Sequence, residues 1–397
     1  MNRSILILTL PPLRGGVPDK ARILVRHLKE LGYRVTVSHY ATYRDYPELV
    51  AASWQIFSGK RPGVREGKCF GDFPCVSIGC WFPELEFTYY LTSAAWRKLI
   101  ESHDRHIVVG GTVLASYPLV NTGIPHLVWC ASTMIDDRLD RRQSMRLYRR
   151  LFDRLVISPV QRAMERKILR GVGRFMAVSS YTLESLVAKG GNPDRFSRVP
   201  IPVDTGIFKP PTGSPQVGVI GFAGRPNDPR KNLALLFHAL KRLLDQGQNI
   251  ELRLTGNATE TLGQLAEGLG ISGRISWAGW LTDGDLPEFF RELDVFVIPS
   301  FQEGLNITGL QAMATAVPVI STRCGGPEDY VINGETGLLT SFDAEHMASA
   351  ITEITSDRHK RKKLGQNARR FVEENYSHDR FKVTLAEAWR QTWGEQP

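Results

Sequence analysis

Short apolar runs alternate with helix-period segments along the chain, and the alternation breaks at residues 199–215, which read Val-Pro-Ile-Pro-Val-Asp-Thr-Gly-Ile-Phe-Lys-Pro-Pro-Thr-Gly-Ser-Pro. Proline fixes φ and removes backbone donors, so this stretch excludes helix and reads as a linker. Strand candidates at 4–10, 34–39, 107–109, 126–130 and 175–178 precede it, and candidates at 217–223, 251–255, 274–277, 295–299 and 319–321 follow it. Strands interleaved with helices predict parallel sheets rather than a sandwich or bundle. The expected fold is therefore α/β, with two Rossmann-like, doubly wound domains of similar size. Such sheets bind ligands at the carboxyl ends of their strands, so two facing domains are expected to leave a cleft between them. The expected boundaries are 1–204 and 205–377, with a C-terminal helix at about 378–397 packing back on the first domain.

A length of 397 residues is ample for two cores, and 42% apolar content excludes a disordered chain. Five cysteines cannot build a disulfide framework in so long a chain, so a reducing compartment is expected. The opening run, residues 5–10, is cut short by Pro11 and Pro12, which reads as a first strand rather than a signal peptide. No run approaches the ~20 apolar residues of a membrane span. A cytoplasmic protein is expected.

The formal charge is +9, and it is concentrated. Residues 138–170 hold ten arginines and Lys167 against Asp140, Asp153 and Glu165. Within them Met145, Tyr148, Phe152 and Leu155 recur at helical spacing, with Arg142, Arg146, Arg149, Arg150 and Arg154 on the other faces. Pro159 is expected to break the helix and Gly171 to cap the next one. Two readings stay open. The segment is the solvated face of a core helix, with the apolar stripe spent on the core, or 138–155 is a peripheral contact for an anionic membrane at its inner face or for an anionic acceptor. No nucleic-acid motif accompanies the charge.

The candidate chemistry lies at strand ends. Gly15-Gly16 follows the first strand and precedes a helical pattern at 19–31, a turn that lets a ligand approach the backbone. In the second half, Gly221-Phe-Ala-Gly224-Arg225 ends a strand and Lys231 opens the next helix, placing a guanidinium and an ammonium where a diphosphate would sit. A second strand end reads Glu303-Gly304-Leu305-Asn306-Ile307, with Gln311 two turns into the helix behind it. A carboxylate before a helix N-terminus also complements the helix dipole, so each element alone is weak.

Together, the order and spacing resemble the retaining nucleotide-sugar glycosyltransferases of glycosyltransferase family 4, with their GT-B architecture. The matching elements are Val178-Ser179-Ser180-Tyr181-Thr182, Val203-Asp204 with Phe208, the Gly-Arg…Lys loop, Asp294 with Pro299-Ser300, Glu303-Gly304 and Gly325-Gly326-Pro327-Glu328. The resemblance implies an acceptor-binding first domain and a donor-binding second. It implies that Arg225 and Lys231 hold the donor diphosphate, that Glu303 meets donor-sugar hydroxyls, and that Gly15, Gly16, Gly224, Gly304, Leu305, Asn306, Ile307 and Gln311 border the donor. The implied reaction moves a hexose from a UDP-, GDP- or ADP-sugar to a hydroxyl acceptor (glycan, lipid-linked or small molecule) with retention, in polysaccharide or glycoconjugate biosynthesis. No metal is implied. Preorganised cations and helix amides suit the charge on a departing nucleoside diphosphate.

Three departures stand out. Gln311 replaces the family's second Glu, which grips the ribose. Asn306 replaces a glycine, whose dihedrals Asn tolerates. His126 starts its strand, whereas many relatives carry His at the strand's end; here that end holds Cys130, Ala131 and Ser132. His126 is therefore expected to be structural. Asp283-Gly-Asp285 is expected to be an N-cap, and Cys69, Cys75 and Cys80 reduced packing residues rather than a zinc site. The sequons at Asn257 and Asn306 carry no weight without a secretory signal. Arg225 and Lys231 are expected to be loop residues whose removal spares the fold. An epimerase or hydrolase on the same architecture is one rival, separable because an epimerase turns over donor alone. A nucleotide-sugar-binding relative without catalysis is the other.

Overall fold

A computed structural model describes residues 3–11, 13, 16–143, 145–211, 213 and 218–397, with backbone alone at 139–143. The chain divides into two compact units, one of Met1–Val199 with Thr384–Pro397 and one of Pro200–Val383. The first unit holds strands β1 (Ser4–Thr9), β2 (Arg34–Tyr40), β3 (Val64–Cys69), β4 (Phe73–Ile78), β5 (Arg105–Val109), β6 (Leu127–Cys130), β7 (Arg174–Ala177) and β8 (Phe196–Arg198). Their order is β3-β4-β2-β1-β5-β6-β7-β8. All neighbours run parallel except the β3–β4 hairpin. Ile5, Leu6, Ile7 and Leu8 are buried on both faces, as a central parallel strand requires. The C-terminal helix His378–Trp393 brings Trp389 into this unit, with its ring 5.4 Å from Tyr33.

The second unit holds β9 (Val219–Phe222), β10 (Glu251–Leu254), β11 (Ile275–Trp277), β12 (Val295–Ile298), β13 (Val319–Thr322) and β14 (Gly337–Thr340), all parallel, in the order β11-β10-β9-β12-β13-β14. Its core joins Leu236, Phe237 and Leu240 of helix Leu233–Asp245 to Leu252, Val295, Val297 and Ile351. Asp294, just before β12, is buried at the amino edge of the sheet, accepting from the Val219 N–H at 3.1 Å and pairing with Arg361. In both sheets the order steps away in both directions from the first strand of its unit, β1 or β9. Loops after neighbouring strands therefore open at the carboxyl edge.

The basic segment differs from expectation. Helix Leu147–Phe152 does not stop at Pro159; it passes through a π-helical turn, Asp153–Ile157, into helix Ser158–Arg170. Pro159 sits in the first turn after the π turn, where a missing N–H is tolerated. The wider π turn shifts the helical phase. Asp153 and Ile157 turn inward, and Asp153 is held by buried Arg138 and by the Ser158 hydroxyl at 3.1 Å. The apolar stripe is not in the core. Tyr148 and Leu155 are exposed, as are their neighbours Leu147 (79% exposed) and Leu151. The Arg142 side chain lies outside the described residues.

Candidate active site

The loop after β9 gathers three cations around one carboxylate. Gly224 opens it, donating its N–H to Thr255 Oγ1 at 3.0 Å. Asp228 Oδ2 then lies 3.0 Å from Arg225 Nη2 and 2.8 Å from Arg230 Nη2. Burial works to raise the Asp228 pKa, but Arg230, Arg225 and Lys231 hold it below the ordinary Asp value. Arg225 projects furthest, with its side chain 62% exposed. Arg230 was not singled out from sequence, and nothing in the spacing marks it.

The loop after β12 supplies the partner carboxylate. Glu303 Oε1 accepts from Lys231 Nζ at 2.7 Å, from Ser300 Oγ at 2.7 Å and from Asn306 Nδ2 at 2.9 Å. Burial pushes its pKa up, and the Lys231 charge with these bonds outweighs that, leaving it lowered and the group ionised at neutral pH. Lys231 is not the exposed loop residue expected: its side chain is 14% exposed, because the pair is packed between the two loops.

Backbone contacts fasten the two loops and a third. The Phe301 N–H donates to Arg230 O at 2.7 Å, and Thr308 Oγ1 donates to Ala223 O at 3.1 Å. The Glu303 N–H donates to Cys324 O at 2.8 Å, and Glu303 O accepts from the Gly326 N–H at 2.9 Å. At Gly326 a Cβ would lie 2.2 Å from Gly304 O, so only glycine lets this third loop approach. Asn306 adopts φ 65°, as its replacement of glycine requires, and caps helix Ile307–Ala314 by accepting from the Gly309 N–H at 2.9 Å. Buried Tyr330 donates to Asn306 O at 3.0 Å. Thr255, Thr308 and Tyr330 escaped the sequence reading because their roles depend on contacts between distant segments; Ser300 is marked by the resemblance, but not its bond to Glu303.

Of the expected site residues, Gly224, Arg225, Lys231, Glu303, Gly304, Leu305, Asn306, Ile307 and Gln311 thus fall on these loops and the helix behind them. Leu305 is buried. Gln311 has its Oε1 buried with no hydrogen-bond partner among the described residues, as does Gln302 at Nε2. Gly16 belongs to the first unit, exposed at the start of helix Gly16–Glu30, and Gly15 lies outside the described residues. Among the described residues no group of three His, Cys, Asp or Glu side chains is placed to hold a metal ion.

In the first unit, His126 is buried, its Nδ1 2.8 Å from Ile124 O, and burial pushes its pKa down to about 4; it is a packing histidine. Lys20 is also fully buried, donating to Gly110 O at 3.0 Å and Trp129 O at 3.4 Å at the carboxyl ends of β5 and β6. Burial lowers its pKa to about 8, against a raising influence from Cys130. Asp285 occupies the N-cap of helix Leu286–Arg291 as expected, but its Oδ2 turns back to accept from Thr282 Oγ1 at 2.6 Å instead of capping forward. All five cysteines are free thiols.

Residues 14–206 match the family described as Glycosyltransferase Family 4, and residues 209–371 match Glycosyl transferases group 1. Among curated relatives, the MMP alpha-(1->4)-mannosyltransferase of Mycolicibacterium hassiacum is 29% identical over 54% of this chain and 53% of its own. The GDP-mannose-dependent alpha-(1-6)-phosphatidylinositol monomannoside mannosyltransferase of Mycobacterium tuberculosis is 29% identical over 58% of this chain and 65% of its own. The chain thus spans about half to two thirds of the length of these relatives. Sucrose-phosphate synthase from Thermosynechococcus elongatus shares the fold, with a TM-score of 0.74 at 18% identity over 99% of both chains. WaaG, a lipopolysaccharide-biosynthesis glycosyltransferase, does so at 0.69 and 17% over 99% of this chain and 100% of its own. With a Family 4 module before the linker and a group 1 module after it, this chain belongs to the GT-B glycosyltransferases of family 4.

Proposed function

We propose that the protein transfers a hexose from a nucleotide-diphospho-sugar to a hydroxyl acceptor with retention of anomeric configuration. The observation that carries this reading is the pair of Lys231 and Glu303, which ties a cation-bearing loop to a carboxylate at the carboxyl edge of one sheet. In this reading the glycosyl C–O bond to the diphosphate breaks, and the developing charge meets Arg225 and Lys231, with Arg230 behind them, in place of a metal ion. The acceptor oxygen attacks from the same face, and its proton leaves with the nucleoside diphosphate. Glu303 Oε1 is committed to Lys231, Ser300 and Asn306. Oε2 receives no bond among the described residues, and it is the atom suited to a donor-sugar hydroxyl. Gln311, with its unmatched carbonyl oxygen, is the group suited to the ribose.

The Mycobacterium tuberculosis relative is GDP-mannose-dependent, which makes that donor the first to test. Incubation with UDP-, GDP- and ADP-sugars, with and without hydroxyl acceptors, decides the matter. Acceptor-dependent release of nucleoside diphosphate supports transfer. Conversion of donor alone supports an epimerase or hydrolase, and binding without release a non-catalytic protein.

A second part of the proposal concerns location. No helix among the described residues is long and apolar enough to cross a membrane. The exposed apolar residues Leu147, Tyr148, Leu151 and Leu155 lie among Arg146, Arg149, Arg150 and Arg154, the composition of a helix that lies on an anionic bilayer. We infer that this arm makes peripheral contact with the inner face of the membrane.

A further inference from the structure

We propose that the first unit carries a carbohydrate-binding platform built on Trp54, Trp81, Tyr43 and Glu84, and that it takes a neutral pyranose ring of the acceptor. The proposal rests on the transferase reading only for the word acceptor; the binding site stands on its own geometry.

The platform lies at the edge where such sheets bind ligands. β2 ends at Tyr40 and β4 at Ile78, paired in parallel register, so the segments that follow both leave the sheet at its carboxyl edge. The first segment carries Tyr43 and Trp54, whose rings meet edge to face at 5.8 Å. The second carries Trp81, Phe82 and Glu84. The two are pinned together by main chain. The Ala51 N–H donates to Cys80 O at 3.1 Å, and the Phe82 N–H donates to Ala51 O at 2.9 Å. At Gly79 a Cβ would lie 1.7 Å from Leu49 O, so any side chain there would force the segments apart. The Ser53 N–H donates to Glu84 Oε1 at 2.8 Å, setting the carboxylate beside the residue that precedes Trp54.

What the pinned segments present is unusual for a water-facing surface. Trp54 is 61% exposed and Trp81 42%, with Tyr43 and Phe82 exposed beside them. Two exposed aromatic pairs, Tyr43 with Trp54 and Trp81 with Phe82, on segments pinned together by main chain mark a binding surface. Phe82 is held at φ 55°, a left-handed conformation unfavourable for a bulky residue, which the cross-segment bonds maintain. Neither indole N–H makes a hydrogen bond among the described residues, so both remain as donors. Glu84 supplies the acceptor: its Oε2 is buried and has no hydrogen-bond partner among the described residues. Burial works to raise the Glu84 pKa, but the bonds from Ser53 hold it below the ordinary Glu value, so it is ionised at neutral pH.

Flat π faces, free N–H donors and a carboxylate one donor short match the chemistry of a pyranose. Its C–H face packs on an aromatic ring, and its hydroxyls both donate and accept. The charge argues for a neutral ligand. Residues 43–91 hold five cations against six carboxylates, unlike the arm at 138–170. An anionic bilayer would find no electrostatic attraction here.

Saturation-transfer-difference NMR on the full chain tests the proposal, with methyl α-D-glucoside, methyl α-D-mannoside and methyl β-D-galactoside as probes. Saturation should reach the C–H protons of one ring face of at least one probe. Trp54→Ala and Glu84→Gln should each weaken that binding by about tenfold while leaving nucleoside diphosphate binding unchanged. Both sites are near the surface, and circular dichroism confirms folding. Failure of all three probes to bind overturns the proposal, as does wild-type affinity in both variants. So does a blue shift of tryptophan fluorescence, lost in Trp54→Ala, with phosphatidylglycerol vesicles and not with the glycosides. Glycoside binding without turnover of any donor leaves the platform standing and removes the transferase reading instead.

Discussion

Lys231 Nζ sits 2.7 Å from Glu303 Oε1, and the two residues come from loops 72 positions apart that meet at the edge of one sheet. Each charge is nearly withdrawn from solvent, so neither is dispensable to the other. Removing one partner of such a pair leaves an uncompensated buried charge, at a typical cost of about 3–5 kcal/mol. Lys231→Ala should therefore lower stability measurably in urea denaturation, and adding Glu303→Gln to it should restore part of the loss. The same lysine faces the leaving group in the proposed reaction, so turnover should fall by about 10²–10³. Because the Glu303 pKa is lowered on folding, its contribution is present at neutral pH and fades as pH falls below the ordinary Glu range. Unchanged stability in Lys231→Ala would show that the pair is not coupled.

Arg225 provides the contrast. Its guanidinium reaches into solvent and its ion pair is with Asp228, which Arg230 also holds. Arg225→Ala should leave the unfolding midpoint close to wild type, since exposed ion pairs contribute little. Turnover should still fall by about 10²–10³. A variant with wild-type turnover on a verified donor removes Arg225 from the diphosphate site.

The sequence reveals the strands whose two faces are both buried, because continuous apolar runs such as Ile5–Leu8 and Val295–Ile298 have no other reading. It hides the hairpin β3–β4, since Val-Arg-Glu-Gly-Lys-Cys is an exposed edge strand with little apolar content. It hides β8 too, since Phe-Ser-Arg is a partly exposed edge strand with one apolar residue. In the site, Arg225 and Glu303 are legible because they follow strands with glycines beside them, and Lys231 because its spacing from Arg225 matches the loop that carries the resemblance. Arg230, Thr255, Thr308 and Tyr330 are not, because only tertiary packing gives them partners. The sequence leaves the stripe of the basic arm open between core and surface, because the exposure of Leu147, Tyr148, Leu151 and Leu155 is set by packing that the periodicity does not carry.

Gln311 carries a buried carbonyl oxygen with no partner among the described residues. If that oxygen faces the ribose, Gln311→Glu should tighten nucleoside diphosphate binding by up to ~1–1.5 kcal/mol through a charge-assisted bond. Calorimetric titration of wild type and variant with UDP, GDP and ADP measures it. Equal affinities for all three nucleotides in the two proteins would place Gln311 away from the ribose.

Lys20 gives the first unit a distinctive alkaline response. Its pKa is about 8 in the folded protein, against about 10.4 for an unfolded lysine. Between those values the unfolded chain binds more protons, so the Lys20 contribution to stability rises with pH, by about 3 kcal/mol across the window. Buried thiols such as Cys130 act in the opposite direction, but they are present in wild type and Lys20→Met alike. The stability of wild type minus that of Lys20→Met should therefore climb between about pH 8 and pH 10. Parallel curves over that range would mean that Lys20 titrates as a solvated amine.

The arm of residues 147–157 makes the last prediction, and two of its features must act together. Its residues Leu147, Tyr148, Leu151 and Leu155 point to solvent, so an inserted face is available, and Arg146, Arg149, Arg150 and Arg154 flank it. Arg149 lies 3.5 Å from Glu86, which offsets part of its charge, so the attraction should fall short of four full contributions. Each arginine near an anionic surface is worth about 1 kcal/mol, and the Debye length shrinks from about 10 Å at 0.1 M salt to about 3 Å at 1 M. Wild type should pellet with phosphatidylglycerol vesicles at low salt and much less at high salt. Replacing Arg146, Arg149 and Arg150 by Gln should remove most of the salt-sensitive part. Replacing Leu147 and Leu151 by Ser should weaken the part that survives salt, which charge alone cannot supply. Equal pelleting of all three proteins, or none by wild type, defeats the membrane contact and leaves the arm to a soluble anionic acceptor.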